Sequence, residues 1–489
     1  MQNNPSTGSG RPDTRGVQVL LGDPKKAIVK LSLPMILAMG LSSLYNVVDR
    51  FWVSGLGTDA LSATGYYFSL LILAIAFATG LGVGGGAAVS HAIGERRRDD
   101  ASSAALHTLL IGAGLSLLFT FPFIAFARSI FTVMGAASAL DEAVTYGQIM
   151  FAGSLFLFFN NIATALLRAE GSATKSMIAI TTGALLNVGL DPLFIYGFHL
   201  GVAGAAWASL ISMLVSSLPL VYWLFIERKS YVRLTLRGFR FRWPMIKRIS
   251  AIGIPTLLMQ GAMSVQMFLF TVILSAIGQD RAVGVFFSGW SVVTLAILPL
   301  IGMGTAVTSV AAASFGAKAY EKLKIVHSYS IKLGLILECG VALLTGLGAP
   351  LIAMLFSWSP GTKALAPDIT AFLHIIWIFY PATAGGLLSS ALFQGVRRGV
   401  YSLIITIFRT IVFAVPFAYI MGIGLGWGAN GVYAGLITAS WLSSIIAVVW
   451  AWRHVRKLNA RSGAGGTAET AADAGGPAGM MRVSETADD

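Results

Sequence analysis

The chain has little charge and almost no cysteine. Only 11% of its 489 residues are Asp, Glu, Lys or Arg, against ~25% in soluble domains, which leaves too little ionic surface to solvate a globular body of this length. A single cysteine, Cys339, excludes an internal disulfide framework and any cysteine-built metal centre. His91, His107 and His327 have no ligand spacing, and no zinc motif, nucleophile elbow or nucleotide-binding signature is present. The run Gly82-Val83-Gly84-Gly85-Gly86 lies inside an apolar stretch with no Lys-Ser or Lys-Thr after it, so it serves close helix packing rather than phosphate binding. Nor is there a convergent pair such as His with Asp or Ser with Lys to support an intramembrane enzyme.

What the sequence does have is apolar length. Hydrophobic residues make up 56% of the chain, and mean hydropathy is +0.76. Long apolar runs lie near 27–56, 60–92, 102–130, 143–168, 175–198, 202–226, 249–278, 283–315, 326–356, 368–394, 400–425 and 431–454. Each is long enough to cross ~30 Å of hydrocarbon as a helix. The expected fold class is therefore an all-α polytopic membrane protein of about twelve transmembrane helices. The expected division is a disordered N-terminal tail over 1–24, a first six-helix bundle over 25–226 and a basic linker over 227–248. A second six-helix bundle over 249–456 and a disordered tail over 457–489 complete it.

Charge gives the expected orientation. Alternate connections carry Lys25-Lys26, Arg96-Arg97-Arg98, Arg168 with Lys175, Arg228 to Arg248, Lys318 with Lys322 and Lys324, Arg397-Arg398, and Arg453 to Lys457. The intervening ones carry Asp59, Asp141, Glu142, Asp280 and Asp368, with Arg281 and Lys363 as the exceptions. The positive-inside rule then places both termini in the cytoplasm of a multi-pass protein of the cell membrane. The net charge of +13 is concentrated in these loops, so its expected partner is anionic lipid and not nucleic acid.

The halves echo each other. Leu33-Pro34-Met35 resembles Ile254-Pro255-Thr256, and Ala87-Ala88-Val89-Ser90 resembles Ala311-Ala312-Ala313-Ser314. Gly201-Val202-Ala203-Gly204 resembles Gly431-Val432-Tyr433-Ala434. Six spans per half require parallel repeats related by a pseudo-two-fold axis along the membrane normal, an arrangement that commonly leaves a cavity between the halves.

Ionisable residues inside a span are costly and point to function. Asp49 stands late in span one and Asp191 late in span five, at similar depth, each with a polar partner four residues earlier: Tyr45 and Asn187. Two carboxylates in low dielectric exchange a proton or hold a sodium ion between their oxygens. The structural alternative for Asp49 is a pair with Arg50 near the interface. Pro192 is expected to kink span five. Asn160, Asn161, Thr164 and Ser209 are further polar candidates, each also explicable as an ordinary interhelical hydrogen bond. In the second half, Glu338 and Arg409 lie near mid-membrane and are expected to form a buried pair.

These residues, taken in order, resemble the multidrug and toxic compound extrusion (MATE) transporters. The pieces are Leu33-Pro34, Val48-Asp49-Arg50-Phe51-Trp52-Val53, Leu167-Arg168-Ala169-Glu170-Gly171, Leu186-Asn187-Val188-Gly189-Leu190-Asp191-Pro192 and Gly201-Val202-Ala203-Gly204-Ala205-Ala206. The resemblance implies two bundles around a V-shaped cavity and a secondary transporter, not an enzyme. It further implies export of amphipathic, often cationic small molecules by alternating access, coupled to H+ and/or Na+, with no other cofactor and a monomeric state. It is similar to the DinF-like prokaryotic branch, whose pattern assigns cation coupling to Asp49, Asn187, Asp191 and Ser209, with Tyr45, Asn161 and Thr164 as neighbours and Na+ at Asp49, Asn187 and Asp191. Thr164 stands where that pattern commonly has asparagine, and Ser209 where it often has threonine. The glutamate of the NorM-like branch in span seven is absent, Gln260 and Ser264 being the nearby polar residues. A lipid-linked precursor flippase of the same wider superfamily is the alternative function.

Overall fold

The computed structural model describes residues 14–473 apart from 137, 228–229, 233, 235–238 and 357–364, with no side-chain description over 461–473 and at some further positions, among them Arg50 and Asp280. Arg228 and Lys363, and the side chains of Arg50 and Asp280, therefore lie outside the described residues. Among those described, every regular element is helical.

A short helix α1 (Arg15–Leu21) precedes the first span, α2 (Pro24–Ser54). Thr14 caps α1 by accepting from the Val17 amide at 3.3 Å, and Asp23 caps α2 by accepting from Lys25 at 3.0 Å, each satisfying an amide the first turn leaves open. Pro24 follows at the first position of α2, where its missing N–H costs nothing. Next come α3 (Thr58–Gly94) and α4 (Arg98–Ala125), then the short α5 (Ala127–Val133). Span four is α6 (Leu140–Ala152) with α7 (Ser154–Ala169), bent by 49°. Span five is α8 (Ala173–Pro192) ending in a π-helical turn at Leu193–Gly197, and span six is α9 (Gly201–Val221) ending in another at Tyr222–Ile226.

The second half repeats this plan. The long α10 (Trp243–Ala296) and α11 (Leu298–Gly316) make spans seven and eight, and α12 (Tyr320–Leu347) makes span nine. The short α13 (Ala349–Phe356) corresponds to α5. Span ten is α14 (Ala366–Ile376) with α15 (Phe379–Gly395), bent by 52°. Span eleven is α16 (Gly399–Ile407), a π segment at Phe408–Phe413, α17 (Ala414–Tyr419) and a π turn at Ile420–Gly424; α18 (Gly428–Asp473) is last. Ten helices are long and apolar enough to cross a membrane, and twelve spans result when each bent pair is one span.

The repeat extends to the backbone of the helix ends. Arg96, Gly171, Lys318 and Arg397 all have positive φ, at 59°, 83°, 54° and 61°. The next residue in each case donates its amide five residues back: Arg97 to Ala92, Ser172 to Leu167, Ala319 to Ser314 and Arg398 to Phe393, at 2.8–2.9 Å. This is the Schellman closure of a helix C-terminus. At three of the four sites the left-handed residue is Arg or Lys, whose charge complements the carbonyl end of the helix dipole.

Two expectations differ from the structure. Residues 15–21 were expected within a disordered tail, but they form α1, with Val17 at 0% and Leu20 at 2% exposure; seven residues are too few for a periodic pattern to announce them. The last helix continues to Asp473, beyond the boundary placed by composition at 457.

At the end bearing the basic loops, one apolar core contains residues of both halves, such as Ile93, Leu166 and Leu167 with Ala311, Val326 and Leu392. Toward the other end the core divides. One cluster is built only from the first half, around Val53, Phe131 and Ala205, and another only from the second, around Phe270, Phe372 and Ala439. Small residues bring the halves together at the shared end. A Cβ on Gly94 would strike the Ala313 carbonyl, and one on Gly316 would strike the carbonyl of His91, a reciprocal contact between α3 and α11. Gly80 and Gly253 repeat this between α3 and α10, each glycine meeting the other's carbonyl. The two bundles thus share one apolar core at the basic end and have separate cores toward the other.

Candidate functional site

The apolar walls of the first bundle surround a compact acidic cluster. Asp191, in the last turn of α8, is 0% exposed, and Asn187 one turn earlier is 2% exposed. Asn187 Nδ2 donates to Asp191 Oδ1 at 3.1 Å and to Ser209 Oγ of α9 at 3.3 Å. Asp49 of α2 stands against the Asp191 carboxyl within hydrogen-bonding reach. Spans one, five and six therefore each contribute to one polar knot. Asp191 Oδ2 and Asn187 Oδ1 are buried and receive no hydrogen bond from an N–H or O–H group. Asp191 has no ion pair among the described residues.

Local sequence explains this placement. Four-residue spacing puts Asn187 and Asp191 on one face of α8. Pro192 then ends the regular helix and the chain widens into the π turn, where Tyr196 reaches back and donates to the Trp52 carbonyl at 2.7 Å. That bond ties the end of span five to α2 one turn beyond Asp49.

Aromatic hydroxyls close the cluster. Tyr45 of α2 and Tyr146 of α6 lie within electrostatic reach of both carboxyls. Tyr67 of α3 packs edge-on against Tyr146, ring centroids 5.2 Å apart, and against Phe151 at 5.4 Å. Tyr67 and Tyr146 were missed in the sequence, because tyrosine within an apolar span has no pattern that separates a site wall from ordinary packing.

Asn161 and Thr164 behave differently. Thr164 donates to the carbonyls of Asn160 and Asn161 at 2.7 and 3.0 Å, and Asn161 donates to Leu157 at 3.0 Å. Their donors thus serve the backbone of α7. Asn160 joins spans, donating to the Met213 carbonyl and to Ser216 at 2.9 and 2.8 Å.

The expected Glu338–Arg409 pair is not formed: neither carboxyl oxygen of Glu338 has a partner. The cause is packing. The helix bearing Glu338, α12, lies against α2, α11, α15 and α18, whereas the π segment of Arg409 lies against α10, α16, α17 and α18. Similar depth along the sequence placed them together; the order of the helices keeps them apart.

Glu170, at the turn after α7, is a structural anchor that the motif alone did not explain. It is 2% exposed and accepts from Ser230 Oγ at 2.8 Å, from the Val232 amide at 3.3 Å and from Ser172 Oγ at 3.3 Å. Burial raises its proton affinity above that of an ordinary carboxyl, and these hydrogen bonds and Lys175 oppose the shift. Beside it, Gly16 of α1 packs on the Glu170–Gly171 backbone, while Lys322 of α12 donates to the carbonyls of Leu21 and Gly22 at 2.5 and 3.0 Å. The first helix therefore touches both halves.

Chemically, two carboxyls in contact inside a helical bundle cannot both remain ionised without a counter-charge. A proton or a small monovalent cation satisfies them. No group of three or more His, Cys, Asp or Glu suited to a multivalent metal occurs among the described residues.

A two-lobed, twelve-span helical protein with a buried acid pair in one lobe belongs to the class of membrane transporters. The MatE family model matches residues 34–193 and 255–420, one stretch in each half. The chain belongs to that family and is a secondary transporter, not an enzyme. It is similar to the multidrug export protein MepA of Staphylococcus aureus (strain MRSA252), 24% identical over 428 residues, covering 87% of this chain and 92% of MepA. MepA of Staphylococcus haemolyticus (strain JCSC1435) is 23% identical, with 86% and 92% covered. Among solved structures, a MOP superfamily transporter from Pyrococcus furiosus is 39% identical, with a TM-score of 0.88 over 92% of this chain and 100% of that one. A multidrug resistance MATE family transporter described in an outward-facing conformation gives the same identity and TM-score, over 92% and 99%.

Proposed function

We propose that the chain is a cation-coupled antiporter exporting amphipathic, often cationic small molecules, and that Asp49 and Asp191 form its coupling site. The observation that carries this reading is the fully buried Asp191 carboxyl, held by Asn187 and without an ion pair among the described residues, facing the carboxyl of Asp49. Multidrug export by MepA supports the substrate class, and the Asp49, Asn187 and Asp191 pattern supports the DinF-like branch.

The basic end is the cytoplasmic one, with both termini, as the loop charges require. The V-shaped cavity that the resemblance implies then opens outward from a monomer in the cell membrane, and the basic loops lie on anionic headgroups. Loading of H+ or Na+ between the carboxyls removes their mutual repulsion and lets α2 and α8 approach. The cation therefore favours one packing of the first lobe and substrate the other, which is the condition for exchange by alternating access. Each inward-moving cation supplies about 2.3 kcal/mol per ~100 mV, and a proton about 1.4 kcal/mol more per pH unit. Asn187 and Ser209 hold Asp191 in place; Tyr45, Tyr67 and Tyr146 wall off the pair.

Efflux of a fluorescent cation from vesicles under imposed proton or sodium gradients tests the reading. Wild type is expected to export under at least one gradient, and Asp191→Asn and Asp49→Asn to fold but lose gradient-driven export by at least ~10-fold, a loss of about 1.4 kcal/mol in coupling. Full efflux by both variants refutes it. The gradient that sustains wild-type efflux identifies the ion.

A further inference from the structure

The second lobe contains an acid that this scheme leaves unused. Glu338 lies in the interior of α12, is 0% exposed, and neither of its carboxyl oxygens has a partner. Tyr380 of α15, also 0% exposed, lies within electrostatic reach of it, with its hydroxyl beside that of Thr345. Thr345, two turns further along the same face of α12, sits by Tyr380, but its hydroxyl already donates to Val341 and Ala342 at 2.8 and 3.1 Å. Three turns in the other direction, His327 meets Ser389 of α15 at 3.3 Å. A polar seam thus follows the contact of α12 with α15, and its one carboxyl has no counter-charge among the described residues.

The surrounding elements supply none. Neither α11, α13 nor α15 contains a Lys, Arg, His, Asp or Glu. On α2, Lys25, Lys26 and Lys30 lie in the first turns at the basic end and Asp49 in the first-lobe cluster, the Arg50 side chain lying outside the described residues; Arg453, His454, Arg456 and Lys457 of α18 lie beyond its apolar stretch. Lys322, Lys324 and Lys332 of α12 itself precede Glu338 toward that same end. Asp368 and His374 of α14 are separated from Tyr380 by the bend in span ten.

An ionised carboxylate buried in this way has lost its hydration and gained nothing in return, whereas the neutral carboxyl carries no charge and loses far less by the same burial. A hard metal ion wants a shell of ~6 oxygens, which one carboxyl and one phenol do not provide. We propose that Glu338 is a second proton-binding site, located in the C-terminal lobe between α12 and α15, that loads and unloads during transport. The proton comes from water, forms the O–H of the Glu338 carboxyl, and returns to water when the lobe repacks; no other bond changes. This rests on the reading of the chain as a cation-coupled exporter.

Two measurements on the purified full-length protein test it. Infrared difference spectra across a pH titration report the C=O stretch of protonated carboxyls. In the Asp49→Asn/Asp191→Asn/Glu170→Gln variant such a band is expected to persist at neutral pH and to vanish when Glu338→Gln is added. Its absence from the first variant, or its survival in the second, overturns the site. Protons released on binding a cationic dye, followed with a pH indicator in weak buffer, report whether the site is used. Glu338→Gln and Asp191→Asn are each expected to release fewer than wild type, and the two losses to add. A loss in Asp191→Asn alone overturns the second site and keeps the coupling reading. No release by wild type refutes coupling to protons, and the infrared band then decides Glu338 by itself. Glu338→Asp, which keeps the carboxyl, is expected to retain the band even if Glu338→Gln fails to fold.

Discussion

Glu170 is held at the turn between α7 and α8 by three hydrogen bonds, two of them from the segment that joins the lobes. Because burial raises its proton affinity in the folded protein, the folded state binds a proton more tightly than the unfolded chain does. The resulting stability is fully present below the ordinary carboxyl range and is lost as pH rises through the raised folded value. Glu170→Gln keeps the shape and removes the titration. The Tm of wild type relative to that variant is therefore expected to fall from acidic toward alkaline pH; a constant difference between the two would refute the assignment. The two carboxyls that meet in the first lobe were legible at this scale because charge inside an apolar run is conspicuous. Tyr67 and Tyr146 were not, since they reach the site from α3 and α6 through tertiary packing. Glu338 was found and given the wrong partner, because depth along a helix says nothing of which neighbour its face meets.

Helices were the most legible elements. Hydropathy placed the spans, but it could not place the bends in spans four and ten or the π turns after Pro192 and Tyr419, because a bent apolar helix has the same composition as a straight one. The doublets Ala87-Ala88 and Ala311-Ala312 showed the repeat, and the structure puts the glycines that follow them at the closest approach of α3 and α11. Closure of the basic end depends on that approach. Gly316→Val forces its side chain against the His91 carbonyl and is expected to shift the protein toward forms open at the basic end. With Cys339 replaced by Ser, spin labels at Glu95 and Lys318 would report the shift as a longer mean distance. An unchanged distance with unchanged folding means the contact is not what closes this end.

The molecule as a whole is polarised along its axis: a core common to both lobes and the basic loops at one end, separate cores and mostly acidic connections at the other. This was half legible. Loop charges gave the direction of the axis, while the dividing core needed coordinates, since residues in one cluster lie hundreds of positions apart. The orientation is testable in intact cells. A cysteine placed at Phe198 or Asp368, in a Cys339→Ser background, is expected to react with a membrane-impermeant maleimide, and one at Glu321 to react only after lysis. The reverse pattern would invert the proposed direction of transport.

The small helix at Arg15–Leu21 has a practical consequence. It bridges the lobes at the basic end, where they must part if the molecule is to open on that side, through the Gly16 contact with Gly171 and the Lys322 bonds to Leu21 and Gly22. A fluorescent protein or affinity tag fused just ahead of it would load a bulky body onto a moving joint and risk slowing turnover without harming expression. The same tag placed after α18 follows a helix of the second half alone, and is the better handle for measuring transport.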